Sequence, residues 1–310
     1  MSERWTEGNI PDLSGRVIMV TGANSGIGYE AARAFAQHGA HVVLACRNRT
    51  KAEVAVASIV EVTTSPSVEI LDIDLADLDS VAAGAKQFLS DHDRLDVLVN
   101  NAGLMALPHQ TTAQGFEMQL GVNHLAPFAL TGLLLDRLLA TDGSRVVAIS
   151  SMGHRPGKIN FDDLQSEKRY SPWVAYFQSK LANLLFTYEL QRKLASHGQS
   201  TIAVAAHPGG SRTNLGHENP GGIVNSIANF GRPLIERMMQ PAAMGALPTL
   251  RAAVDPAVVG GEYYGPDGFM EQRGYPKLVQ STKRSHDPDV AQRLWSVSES
   301  LTGVGYSALD

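Results

Sequence analysis

Tyr176 and Lys180 stand four positions apart in Tyr176-Phe177-Gln178-Ser179-Lys180, a spacing that puts both side chains on one helical face. A phenol ordinarily titrates near ~10, too high for proton exchange at neutral pH. A fixed ammonium beside it favours the phenolate and draws that value toward the working range. Many helices carry the same spacing by chance, so the pair acquires meaning only from what surrounds it.

Composition narrows the choices. The chain has 310 residues, 44% hydrophobic and 18% charged, with a net charge of −5. A substantial core is expected, and an acidic balance with scattered basic residues argues against a nucleic-acid partner. Cys46 is the sole cysteine, which rules out an intrachain disulfide and a cysteine-rich metal site. It reads as a core residue. No His-Glu-x-x-His or comparable cluster occurs, so no metal site is expected. The polar start from Met1 to Leu13 has no signal-peptide core, and the apolar run Leu125–Leu135 is too short to span a bilayer. The expectation is a cytoplasmic protein with no integral membrane segment.

The elements that must position the pair alternate. Val17–Val20, His41–Ala45, Val68–Ile73, Leu95–Val99, Arg145–Ile149 and Thr201–Ala206 read as strands buried on both faces. Helical patterns lie near 26–38, 50–62, 77–91, 113–139 and 173–197, with Asp77 as an N-cap and Gly39 as a C-cap. This order predicts an α/β protein with a doubly wound parallel sheet covered by helices on both faces. Gly and Pro crowd 208–233; a helix near 241–253, a strand near Glu262–Tyr264 and a helix near 287–300 follow. Residues 1–310 read as a single domain, with a small carboxyl-terminal substrate lobe and lid mainly over 208–285.

The first strand runs into Thr21-Gly22-Ala23-Asn24-Ser25-Gly26-Ile27-Gly28 and then an alanine-rich helix. A strand, a glycine turn and a helix N-terminus form a cradle for a pyrophosphate, because unpaired N–H groups and the helix dipole face the anion. The spacing is G-x-x-x-G-x-G, and its place after the first strand predicts a dinucleotide site. An NAD site usually carries a carboxylate about 20 positions later. Here the chain reads Ala45-Cys46-Arg47-Asn48-Arg49, without one, and Arg47 can pair with a 2′-phosphate. NADP(H) is the expected cofactor, with NAD(H) as the lesser alternative.

Four motifs in order resemble the short-chain dehydrogenase/reductase family over nearly the whole chain. They are the glycine motif at 21–28, Asn100-Asn101-Ala102-Gly103, Tyr176-x-x-x-Lys180, and Pro208-Gly209. The stretches Ala45–Asn48, Lys158–Leu164 and Ser179–Asn183 are similar to the retinol-dehydrogenase-like and WW-domain-oxidoreductase-like subgroup. Many members of that subgroup carry a membrane anchor, which is not evident here. The resemblance implies a Rossmann-type fold and reversible hydride transfer between the nicotinamide and an alcohol or carbonyl substrate. Tyr176 would be the proton donor or acceptor, and Lys180 would also hold the nicotinamide ribose.

The resemblance further implies Ser151 as a catalytic residue that binds the substrate oxygen, with Ser150 pointing the other way by strand alternation. Asn123 would hold a water for proton relay, although Ala126-Pro127 follows it where the family has glycine. That proline is expected to kink the helix near Asn123. Asn101, Ala102 and Gly103 would line the cofactor, while Asn100 braces strands. Asp74, with Leu75 beside it, would bind the adenine, or else serve as a capping aspartate. Thr213 would anchor the nicotinamide amide. His124 reads as a packed helix residue.

Two segments should cover the site, 152–172 and 214–240. The second is apolar, with Ile227, Phe230, Leu234 and Met238 at helical spacing, which suits a lipophilic substrate or equally a packed core or subunit contact. His154, Arg155 and Arg169 could meet a polar end of a substrate but read first as solvated loop residues. A homo-oligomer is a family habit. Competing readings are a non-catalytic NADP(H)-binding regulator and a porphyrin photoreductase. The intact set Asn123, Ser151, Tyr176 and Lys180 weighs against the first, and the single cysteine against the second. Nothing in the chain resembles a hydrolase nucleophile elbow.

Overall fold

A computed structural model describes residues 4–64, 67–211 and 239–310. Strand side chains alternate between two apolar layers, as the period of two demands. Ile18, Val20, Val42, Leu44, Val97, Val99 and Val147 join one layer with Ala31, Phe35 and Leu250. Val17, Met19, Val43, Leu98 and Val146 join the other with Phe88, Leu130 and Phe186. The central strands therefore need helices on both sides, and their near-continuous apolar runs follow from that double burial, whereas the edge strand Ser67–Asp72 is only partly buried.

The strands are β1 (Val17–Thr21), β2 (His41–Cys46), β3 (Ser67–Asp72), β4 (Val97–Asn100), β5 (Arg145–Ile149), β6 (Ile202–Ala206), β7 (Tyr263–Pro266) and β8 (Pro276–Leu278). They form one eight-stranded sheet in the order β3-β2-β1-β4-β5-β6-β7-β8. All neighbours are parallel except β7 and β8. The order reverses between β1 and β4, so a crevice opens there at the carboxyl ends of the strands. The turn after β1 and the Asn100–Gly103 motif after β4 both reach that crevice. β8 has no counterpart in the sequence reading: it is three residues long, and its Lys277 and Leu278 are exposed.

The helices are α1 (Gly26–Gln37), α2 (Arg49–Glu61), α3 (Leu78–Asp91), α4 (Met118–Leu120), α5 (Ala126–Leu133), α6 (Leu135–Leu139), α7 (Pro172–Ser196), α8 (Ala242–Val254) and α9 (Pro288–Thr302). Asp77 caps α3 by accepting from the Asp79 amide at 3.0 Å. His38 closes α1, and Gly39, at φ +94°, takes the left-handed position just beyond it. No described helix is long and apolar enough to cross a membrane.

The single helix expected over 113–139 is instead broken. Glu117 caps its start, accepting from Gln119 at 2.9 Å and Leu120 at 2.7 Å. Gly121–Leu125 then widens into a π-turn before α5. Pro127 explains the break, because it has no N–H to give the Asn123 carbonyl and its ring crowds that oxygen. The proline irregularity expected from the sequence is thus a π-turn centred on Asn123.

The chain end holds this broken helix in place. Tyr306 is fully buried and donates to the Phe128 carbonyl at 2.7 Å. Its ring lies 4.9 Å from Phe128 and 4.5 Å from Trp295. Tyr306→Phe is expected to cost about 1 kcal/mol and Tyr306→Ala about 3–5 kcal/mol of stability, read by urea unfolding. Equal stability of the alanine variant would show that the tail does not support α5.

Candidate active site

Pro172 opens α7 with the backbone angle a first helical turn requires, and the helix then lays its Tyr176 and Lys180 face along the end of β5. Lys180 is 5% exposed, and its Nζ donates to the Ile149 carbonyl at 3.1 Å. The same Nζ lies 5.8 Å from the Tyr176 ring centre. Ser151 follows β5 beside Tyr176, and its hydroxyl accepts from the Gly153 amide at 3.1 Å. Ser150 faces the other way and donates to the Lys180 carbonyl at 2.8 Å. A side chain at Gly153 would strike the Tyr176 ring, so this glycine lets the serine turn close over the phenol.

Asn123 is buried beneath this group with its amide fully engaged. It accepts from the Leu104 amide at 2.7 Å and donates to the Leu104 carbonyl at 2.9 Å and to Ser179 Oγ at 2.8 Å. A Cβ on Gly103 would lie 3.2 Å from Asn123 Oδ1 and 3.3 Å from Lys180 Nζ. Asn123, Gly103, Lys180, Tyr176 and Ser151 therefore form one group of neighbours. The Asn123 side chain staples α7 to the loop after β4, which leaves its backbone carbonyl as the polar atom disturbed by Pro127.

The electrostatics correct one expectation. Burial raises the Tyr176 pKa above its usual value, and the neighbouring Ser151 hydroxyl offsets this only in part. Burial also lowers Lys180, to about 8. In the protein alone burial outweighs any help from the lysine; desolvation acts on both groups and favours two neutral ones.

The glycine cradle is shaped for close approach. Gly22 and Gly26 have φ of +66° and +58°, the region glycine tolerates best. A Cβ on Gly28 would collide with Asn101 Nδ2 and the Gly22 carbonyl, and one on Gly22 would lie 2.9 Å from the Ala102 Cβ. Thr21 Oγ1 accepts from the Asn101 and Ala102 amides at 3.0 Å, and Asn101 donates to the Thr21 carbonyl at 2.8 Å. The two loops are thereby locked at the switch point, with Asn24, Ser25 and Ile27 in the turn into α1. Asn100 donates to Thr131 at 3.1 Å and so braces β4 against α5.

At the far side of the cradle, Arg47 is 65% exposed and reaches Asp74 only at 3.9 Å. Arg49 is committed to Asp72 at 2.7 Å and to Glu53. Arg47 is therefore the arginine with a loosely held guanidinium. Asn48 caps α2, accepting from Lys51 at 2.9 Å. Asp74 accepts from the Ala76 amide at 2.9 Å, a turn role, while Leu75 is buried in the core. A cradle that any Cβ would fill, with an exposed arginine at its ribose end, fits a dinucleotide.

A family model for short chain dehydrogenase matches residues 16–221. The chain belongs to the short-chain dehydrogenase family. Human retinol dehydrogenase 13 is 40% identical over 94% of this chain and 86% of its own length. Human retinol dehydrogenase 12 is 40% identical over 94% and 88%. The structure of an uncharacterised protein from Mycobacterium paratuberculosis superposes with a TM-score of 0.81 at 42% identity, covering 98% of this chain and 99% of that one. A structure named as an NAD(P)-dependent gluconate 5-dehydrogenase from Beutenbergia cavernae, with NADP at low occupancy, gives a TM-score of 0.64 at 27% identity over 81% and 95%. The protein is thus a short-chain oxidoreductase, retinol-dehydrogenase-like in sequence, of a family that uses a nicotinamide cofactor.

Some expectations moved and some lie outside the described residues. Thr213 and most of the 214–240 segment are in the second group. Pro208 and Gly209 follow β6, and Gly209 has φ +63°. His154, expected in solvent, is fully buried and donates from Nδ1 to the Ser151 carbonyl at 2.6 Å. Arg155 pairs with Glu271 at 3.1 Å, while Arg169 is exposed as expected. His124 is buried, bonded to Ser298 at 2.9 Å and lowered to about 3 by burial, so it is a packed residue. The thiol of buried Cys46 is pushed up to about 11, again by burial. His41, Glu69 and His92 also meet, at the opposite end of β2 from Arg47; residues from two strands and a helix end leave no sequence spacing to read.

Holding the Lys180 ammonium in this setting costs about 3 kcal/mol at neutral pH, since its folded pKa lies near 8 against 10.5 in the open chain. The penalty is complete below pH 8 and disappears as pH rises toward 10.5. Lys180→Met removes it, and the Ile149 carbonyl keeps its bond from Asn183 at 3.1 Å. The cofactor-free variant is expected to gain about 1–3 kcal/mol at pH 7 by urea unfolding, with the gain shrinking by pH 10. A less stable variant at pH 7 would show that the ammonium is not strained.

Proposed function

We propose that the protein is an NADP(H)-dependent oxidoreductase in which Tyr176 exchanges the proton at the oxygen of a lipophilic alcohol, aldehyde or ketone. The observation that carries this reading is the placement of the Ser151 turn against the Tyr176 ring, with buried Lys180 on the same ring. Two hydroxyls converge there on one point at the carboxyl edge of the sheet, where a substrate oxygen would be held.

When bound, the nicotinamide supplies or accepts the hydride at the substrate carbon. Gly22, Asn24, Ser25, Gly26, Ile27 and Gly28 would cradle the pyrophosphate, and Asn101, Ala102 and Gly103 would line the cofactor beside them. Arg47 and Asn48 would face the adenosine 2′-phosphate, with Asp74 and Leu75 near the adenine. Pro208, Gly209 and Thr213 would hold the nicotinamide half. In reduction, Tyr176 gives its proton to the substrate oxygen while Ser151 donates a hydrogen bond to it. In oxidation, Tyr176 takes that proton. Lys180, charged below pH 8, stabilises the phenolate left behind, and the carbonyl of Asn123 holds a water through which the proton is restored.

The NADP(H) assignment rests on Arg47 and on relatives whose structures hold NADP, including one from Shigella flexneri. The lipophilic substrate rests on the retinol dehydrogenases among the relatives. We further read residues 1–310 as one catalytic domain, supported by the single sheet that runs from β3 to β8.

The deciding experiment is NADPH consumption with a panel of apolar aldehydes and ketones. Tyr176→Phe should lower kcat about 100-fold or more and leave NADPH affinity within about twofold. Equal turnover by the variant would remove Tyr176 as the proton donor. Tight NADPH binding without turnover of any substrate would favour a regulator. Arg47→Ala should raise the KM for NADPH about tenfold, the value of one charge-assisted bond, and leave that for NADH unchanged. An unchanged KM for NADPH would exclude the 2′-phosphate contact.

A further inference from the structure

The segment after β7 carries two consecutive non-glycine residues in the left-handed region, Met270 at φ +50° and Glu271 at φ +56°. Single residues of this kind are uncommon, and adjacent ones persist only where surrounding contacts over-determine them. The contacts here all lead to the end of β6. Glu271 Oε2 approaches His207 Nε2 at 3.2 Å without hydrogen-bond alignment, and neither atom has a hydrogen-bond partner among the described residues. Glu271 Oε1 accepts from Arg155 Nη2 at 3.1 Å.

His207 completes a directional chain. The Gly209 amide donates to its Nδ1 at 3.3 Å, which places the ring proton on Nε2, facing the carboxylate. Burial lowers the His207 pKa, so the ring is neutral in this tautomer, and His207 in turn holds Glu271 below the usual carboxylate range. Arg155 lies in the turn that begins with Ser151, and His154 from the same turn bonds the Ser151 carbonyl.

The backbone beside Glu271 clamps the same loop. Gln272 accepts from the Gly210 amide at 2.7 Å. A Cβ on Gly209 would lie 2.5 Å from that Gln272 oxygen, so the two chains touch along their backbones. Gln240, buried, donates to the Pro208 carbonyl at 2.8 Å and accepts from Gly274 at 3.0 Å. The strap from Phe269 to Gly274 thus grips Pro208, Gly209 and Gly210 from both ends.

We propose that Glu271 is a positioning residue for the nicotinamide half of the cofactor: it holds this strap on His207 and Arg155 and so fixes the Pro208–Gly210 backbone against the serine turn. The inference rests on the proposed cofactor reading and adds a residue that touches neither cofactor nor substrate. In that reading the adenosine half and pyrophosphate lie on loops after β1, β2, β3 and β4, none of which contacts Glu271 through the interactions above. Loss of Glu271 should therefore act on one half of the dinucleotide.

Calorimetry can separate the halves by comparing NADPH with 2′-phospho-ADP-ribose, which lacks the nicotinamide, and in parallel NADH with ADP-ribose. Glu271→Ala should weaken the intact dinucleotide about tenfold and leave its fragment within about twofold. Glu271→Gln, which keeps the shape and can still accept from Arg155, should fall between alanine and wild type. Unchanged fragment binding also shows that the variant is folded. Equal loss of dinucleotide and fragment would reduce Glu271 to a support of the fold and overturn the proposal, as would no loss of either. A wild-type protein that binds neither dinucleotide would defeat the cofactor reading itself, an outcome that looks different from both.

Discussion

A protonatable amine buried at the end of a parallel sheet sets the terms for the rest of this structure. Lys180 has one carbonyl partner, Ile149, and very little water. An ammonium in that position is tolerated only if the surrounding elements are rigid enough to keep it there. α7 supplies the rigidity through a long buried face, from Ala175 to Leu194, against β5 and the second apolar layer. Ser150 adds a side-chain bond to the Lys180 carbonyl, and Asn123 adds another to Ser179 one residue before it. The helix is held from two directions at the turn that carries the amine.

The sheet order explains why these residues meet a nucleotide site at all. Reversal between β1 and β4 separates the α1 and α3 sides of the sheet and leaves room for the glycine turn and the Asn100–Gly103 loop. Gly103 lies within contact range of both Asn123 and Lys180, while Ala102 of the same loop touches Gly22. One short loop thereby joins the cradle to Asn123 and Lys180. Distances between the two halves of the site depend on that short, pinned segment rather than on a flexible connection.

Features tied to local rules were legible in the sequence. Strands β1 to β6 follow from β-branched apolar runs, the glycine cradle from its place after β1, and the Asp77 cap from the residue before an amphipathic helix. The opposite directions of Ser150 and Ser151 follow from strand alternation. What failed to show depended on long-range contacts. The helix through Asn123 looked continuous because apolar periodicity does not register a missing amide at Pro127. β8 is short and exposed, so it has no apolar run to find. His154 looked like a loop residue because it packs on Tyr263, which in turn packs on His207, both far along the chain. The effect of Lys180 on Tyr176 was hidden for the same reason: spacing reveals a neighbour, and it does not reveal desolvation.

That desolvation is shared by the titratable groups gathered around the serine turn. His154 is lowered to about 4, His207 is lowered, Lys180 is lowered to about 8 and Tyr176 is raised, each chiefly by burial. All four are pushed toward neutrality, which marks a region of low polarisability rather than one tuned residue. In such a region a charge appearing on a substrate oxygen is poorly solvated by its surroundings, so the few fixed donors count for more than they would in water. Ser151 and Tyr176 are the donors proposed for that oxygen. Two hydroxyls and one amine can therefore suffice, provided the wall around them stays dry, and the buried neutral histidines are part of that wall.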